Sequence, residues 1–225
     1  MGRMRTLFHF WLSPGCRKVR MALYEKKLDF DPVVERVWEA RPEFLAISPH
    51  AEVPVLVEPD GTTLLDATAI CEYLDEIQME PPLLGFDPLT RAEVRRLVGW
   101  FDGCFGREVT DNLVGEKMLK RLYGQGGPDS RAIRTGYANI HRHMEYIGWL
   151  IEHRRWLAGD AFSMADIAAA AHVSAIDYLG DVPWENHPAA RDWYARIKSR
   201  PSFRTILGDH VPGMPPPKHY SDPDF

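Results

Sequence analysis

The spacing of apolar residues changes partway along this chain. Thr6 to Trp11 and Phe30 to Glu35 are short runs rich in β-prone residues, and each predicts a strand. Between them Val19, Ala22 and Leu23 recur at helical spacing and predict a helix over Arg17 to Lys26, so the opening is a βαβ unit. A short helix follows at Arg41 to Leu45. Val55 to Val57 and Thr63 to Leu65 then read as strands joined by the turn Pro59-Asp60-Gly61-Thr62. The stretch Ala67 to Glu76 places Ile70, Tyr73 and Leu74 on one helical face with Ile77 just beyond, which gives the order βαβαββα.

At Glu80-Pro81-Pro82 helix cannot continue, because proline lacks the amide hydrogen that the ladder needs. Beyond it the spacing is helical: Arg91 to Cys104, Val109 to Leu122, Arg131 to His153, Met164 to Leu179 and Pro188 to Ser199. The expected organisation is therefore an α/β domain over 1–80, a linker over 81–90, an all-α domain over 91–208 and a tail over 209–225. Asp129-Ser130 and Ser163 supply capping oxygens, and Asp166, three residues after Ser163, completes a capping box. The alanines at 165 and 168–171 make the following helix thin, which predicts that neighbours close on it from several sides.

Composition adds exclusions. A net charge of −5 from 27 basic and 32 acidic side chains, with no basic tract, argues against nucleic acid as the main partner. Three widely spaced cysteines, Cys16, Cys71 and Cys104, fit neither a secreted disulfide framework nor a zinc site, and point to a reducing, cytoplasmic setting. His141 and His143, two apart on a helix, face different sides, so no metal is expected. No signal peptide and no membrane span are expected. Trp100, Phe101, Phe105, Trp149 and Trp156 are read as core.

Candidate chemistry sits at two short stretches. Ser13-Pro14-Gly15-Cys16-Arg17-Lys18-Val19-Arg20 reads as a strand-to-helix turn that presents a hydroxyl and backbone N–H groups. Ala51-Glu52-Val53-Pro54-Val55-Leu56 places a proline at the start of a strand, where only a first residue, an edge or a special turn tolerates one. Together they resemble a thioredoxin-type ligand site. With Leu64-Leu65-Asp66-Ala67-x-x-Ile70-x-x-Tyr73-Leu74 and Leu157-Ala158-Gly159-x-x-Phe162-Ser163-Met164-Ala165-Asp166, the chain resembles the glutathione transferase superfamily from residue 5 to about 208. That resemblance implies an N-terminal thioredoxin-like domain followed by an all-helical domain, assembled as a homodimer.

It also implies roles. The Ser13 hydroxyl would donate to the sulfur of glutathione and favour its thiolate; the plain alternative is an N-cap without chemistry. Val53-Pro54 resembles the cis-proline turn that offers backbone groups to a peptide ligand, or else serves the fold alone. Cys16 is read as packed. Asp66 and Ala67 stand where the superfamily has a Glu-Ser pair that grips the γ-glutamyl end, and Ala67 has no hydroxyl. Losing a hydrogen bond to a charged group costs about 1.5–3 kcal/mol, so glutathione is expected as a weak ligand at most, with Thr68 a candidate substitute.

The tail, with its prolines and its ending Asp222-Pro223-Asp224-Phe225, is either self-docked or disordered, or offered to a partner. With the Asp66-Ala67 departure, Trp38 and Glu116-Lys117, it resembles the FtsZ-binding alphaproteobacterial branch of the superfamily. The resemblance implies a non-catalytic homodimer that regulates the curvature of FtsZ filaments in cell division, concentrated at the division site. Its partner contacts would be Trp38, Glu116, Lys117, Asp222, Asp224 and Phe225. The alternative is an active cytosolic glutathione S-transferase that uses Ser13 on hydrophobic electrophiles. A disulfide oxidoreductase is disfavoured, since Ser13 occupies the position of its nucleophilic cysteine.

Overall fold

The computed structural model describes residues 4–222. It divides into two compact units, 1–82 and 83–225. In the first, β1 (Arg5–His9), α1 (Pro14–Glu25), β2 (Phe30–Val34), α2 (Pro42–Leu45), β3 (Val55–Val57), β4 (Thr63–Leu65) and α3 (Ala67–Ile77) follow in order. The sheet runs β2-β1-β3-β4. The pair β1 and β2 is parallel, with Leu7 opposite Pro32, while β3 is antiparallel to both β1 and β4. Leu7, Val19, Leu23, Leu56, Ile70 and Leu74 are buried between the sheet and its helices. Strand β1 stops at His9, short of Trp11, because Phe10 turns the chain so that its carbonyl accepts the Ser13 N–H at 3.2 Å.

One buried cation closes this unit. Lys26, just past α1, donates from Nζ to Asp75 Oδ1 at 2.5 Å, to the Gln78 carbonyl at 2.7 Å and to the Pro81 carbonyl at 2.5 Å. A buried ammonium has three protons to satisfy, and all three are met. The end of α3 and the turn after it are tied to α1 through this one side chain.

The second unit is helical: α4 (Pro88–Gly99), a π-helical stretch Trp100–Leu119, α5 (Lys120–Leu122), α6 (Ser130–His153), α7 (Met164–Tyr178), α8 (Pro188–Lys198) and α9 (Pro201–Leu207). Every residue of α7 is buried, so the alanine-rich helix is central. Its capping box forms as read, and Asp166 also accepts from the Leu157 N–H and from Trp193 Nε1, both at 3.0 Å.

Three expectations change. The break between Cys104 and Val109 is absent: the helix runs on through Gly106, where a Cβ would make ordinary contact with the His172 ring at 3.5 Å. Residues 83 and 84 are not a free linker, since both leucines are buried and the Leu83 carbonyl accepts the Met164 N–H at 2.8 Å. Trp149 is not core: it is 52% exposed. Helix α9 was not foreseen.

Candidate functional site

The pieces read from sequence meet at the start of α1. Ser13 is its N-cap, extended at φ −72° and ψ 116°, with Oγ accepting the Cys16 N–H at 3.4 Å and Pro14 opening the helix. Cys16 is fully buried, and its Sγ accepts the Phe10 N–H at 3.3 Å, which is the packed role. The Val53–Pro54 bond is cis. A Cβ on Gly15 would lie 3.2 Å from Ala67 Cβ, 3.3 Å from Pro54 Cδ and 3.9 Å from Ser13 Oγ, so residues from three separate stretches share one spot. A side chain at this position would need its neighbours to shift by a few tenths of an ångström.

The start of α3 forms another wall. Asp66 sits at φ +69° and caps the helix itself: Oδ1 accepts the Thr68 N–H at 2.8 Å and the Ala69 N–H at 3.0 Å. An anion drawn to this helix start meets a carboxylate already using two of its donors. The Thr68 hydroxyl accepts Lys18 Nζ at 3.2 Å, and Lys18 is 2% exposed. The Thr68 oxygen accepts from Lys18, which leaves its O–H proton as the donor to stand in for the missing Ala67 hydroxyl.

The comparisons agree with this arrangement. The glutathione S-transferase N-terminal domain matches residues 7–82, and the C-terminal domain of the same proteins matches residues 88–196. The chain belongs to the glutathione S-transferase family. It is 50% identical over 98% of both chains to FtsZ-localized protein A of Caulobacter vibrioides. Among solved structures, a glutathione S-transferase from Rhodospirillum rubrum F11 is 59% identical with a TM-score of 0.96, over 99% of this chain and 100% of the other. The structure of FzlA from C. crescentus is 50% identical with a TM-score of 0.95, over 99% of this chain and 100% of the other.

On this glutathione S-transferase scaffold the remaining candidate residues are placed as follows. Trp38 lies in the 3-10 turn Val37–Glu39, half-buried, edge-on to Phe10 at 5.3 Å and 88°. It packs and is partly presented at once. Glu116 accepts from Lys120 Nζ at 2.9 Å and the Asp129 N–H at 2.6 Å. Lys117 donates to Asp181 Oδ2 and to the Tyr137 hydroxyl, each at 2.6 Å. Both hold neighbouring elements together. Asp224 and Phe225 lie outside the described residues; Asp222 ends the described chain.

The described part of the tail is docked. Its 3-10 turn Lys218–Ser221 buries Tyr220 completely, edge-on to Tyr178 at 5.1 Å. Lys198 Nζ donates to the His219 carbonyl at 2.8 Å, and His219 Nε2 lies 3.1 Å from Asp177 Oδ1. A Cβ on Gly180 would touch Pro217 at 3.5 Å, and the next residue, Asp181, holds Lys117. The Lys117 region and the tail therefore meet at the end of α7. Proline composition alone could not show this, since docking depends on aromatic partners 42 residues away in sequence.

Sequence reasoning missed one polar cluster. Among the described residues Cys104, Glu108 and His143 bring possible ligand atoms within 4.8 Å of one another. Trp100 Nε1 donates to His143 Nδ1 at 3.2 Å, which leaves Nε2 carrying the proton that faces Glu108 Oε2 at 2.9 Å. A ligating imidazole needs the opposite tautomer, with its outer N–H given away. Arg142 also pairs with Glu108. The set is arranged to share protons rather than to hold a cation.

Proposed function

We propose that this chain is a non-catalytic glutathione S-transferase-fold protein that works as a homodimer, binds FtsZ filaments and regulates their curvature in cell division in the cytoplasm. The observation that carries the reading is the 50% identity, over 98% of both chains, to a protein named for its localisation with FtsZ. The methyl group at Ala67, where the superfamily carries a serine, supports the non-catalytic part, because a γ-glutamyl carboxylate would find no hydroxyl there. Glutathione is in this reading a weak ligand of the Ser13, Val53, Pro54, Asp66 and Ala67 surface. Trp38, Glu116, Lys117, Asp222, Asp224 and Phe225 are the proposed filament contacts; Lys117 and the docked tail share the end of α7, which supports a continuous surface on that unit.

The test is co-sedimentation with GTP-polymerised FtsZ, run beside conjugation of glutathione to a chromogenic electrophile. Pelleting that weakens on Trp38→Ala or on removal of the last four residues, persists in Ser13→Ala and occurs without conjugation is the expected result. Conjugation abolished by Ser13→Ala, with no pelleting, would replace this reading with the enzyme.

A further inference from the structure

A groove on the helical unit has no part in the reading above. It is about 240 Å³ in volume and lies between α6 and the segment that leads into α8. Glu145, Gly148, Trp149 and Glu152 form one wall, and Asn186 and His187 stand on the other. Glu145, Gly148 and Glu152 recur at i, i+3 and i+7, so the helix presents them as one stripe. Gly148 opens the floor: a Cβ there would already contact Ala189 Cβ at 3.6 Å. Trp149 keeps 52% of its surface exposed although Tyr146 stacks beside it at 6.3 Å and His153 lies 4.9 Å away.

Charge decides what fits. Among the described residues no lysine or arginine lines the groove, and its carboxylates are exposed. His187 pairs through Nε2 with His141 Nδ1 at 2.9 Å, and burial, with the neighbouring His141, lowers its pKa while Glu145 across the groove raises it. An indole flanked by carboxylates matches a guanidinium, which stacks on aromatic faces and forks onto carboxylates where an ammonium acts only as a point charge. The volume admits one long side chain and falls short of the roughly 300 Å³ at which drug-sized pockets begin. The two carboxylates stand two helical turns apart, about 10 Å along the axis, which favours a segment with more than one cation over a single ion.

We propose that the groove walled by Glu145, Trp149 and Glu152 on one side and His187 on the other is a docking surface for an arginine-bearing segment of a partner protein. One arginine lies on Trp149 with its guanidinium toward Gly148, and its neighbours meet the carboxylates. The surface acts independently of the Ser13 site and of FtsZ binding.

The test is titration of the full chain with a short glycine-serine peptide carrying several arginines, followed at the Trp149 indole N–H by NMR and by calorimetry. Lysine and citrulline versions of the peptide serve as comparisons. Saturable binding of the arginine peptide, weakened about tenfold or more in Trp149→Ala and in Glu145→Gln/Glu152→Gln, is expected. Equal binding of either comparison peptide, or variants that bind as the parent does while melting at the same temperature, would overturn it. A change of oligomeric state in Trp149→Ala by sedimentation velocity would identify a second copy as the occupant and overturn it equally. Trp149→Phe, which keeps a ring, guards against a folding defect and should retain most of the binding.

Discussion

The Tyr220 hydroxyl donates to the Ile206 carbonyl at 3.1 Å, with the ring fully buried and edge-on to Tyr178. The Tyr178 hydroxyl in turn accepts the Val211 N–H and donates to the Met214 carbonyl, both at 2.8 Å. Two tyrosines thus bind the tail at both ends, and α9 lies under it. A chain rich in proline loses little entropy on docking, so a few buried contacts suffice.

Tyr220→Ala should release this segment. Truncating a buried ring costs about 3–5 kcal/mol, but the tail can open locally, so the global loss is capped by the free energy of docking. Amide exchange across residues 209–222 should speed up far more than across α7, and protease should cut the tail first. Unchanged protection in the tail would contradict the anchoring role.

Lys26→Met should destabilise the N-terminal unit by about 3–5 kcal/mol, because it leaves Asp75 buried without its cation and removes the donor to the Gln78 and Pro81 carbonyls. Adding Asp75→Asn should restore part of that loss. Urea unfolding of the single and double variants measures the difference. Equal stabilities would show that the ion pair contributes nothing.

His9 gives the fold a pH dependence of known sign. Burial, and then the charge of Arg20, lower its pKa from 6.5 to about 4, and its Nδ1 has no hydrogen-bond partner among the described residues. The unfolded chain therefore takes up a proton between pH 6.5 and 4 that the folded chain refuses. Stability from this group is complete above pH 6.5 and falls as pH drops towards 4, by on the order of 3 kcal/mol. Thermal melts of the parent and of His9→Leu over that range should differ in slope, with the variant flatter.

Ala67→Ser restores the hydroxyl at the start of α3 beside Gly15 and Pro54. Glutathione affinity should rise about tenfold or more, read by calorimetry. Ala67→Ser with Asp66→Asn should bind less tightly than the single change, because position 66 is where the superfamily has its glutamate and an amide cannot form an ion pair with the ligand's ammonium. If neither variant binds more tightly than the parent, the methyl at 67 is not what weakens the site.

The local code determined the element order through α3, the Ser163–Asp166 capping box, the burial of the alanine helix and the positions of Ser13, Pro54 and Ala67. Each depends on spacing within a few residues: apolar period, capping oxygens, proline and glycine placement. Tertiary structure alone decided that the helix runs unbroken through Gly106, that Glu116 and Lys117 are committed to neighbours, that Thr68 accepts from Lys18 and that Trp149 is half exposed. Those outcomes depend on partners far away in sequence, such as Asp181 and Lys18. A side chain's period shows which face it occupies, but not which element comes to meet that face or whether one comes at all.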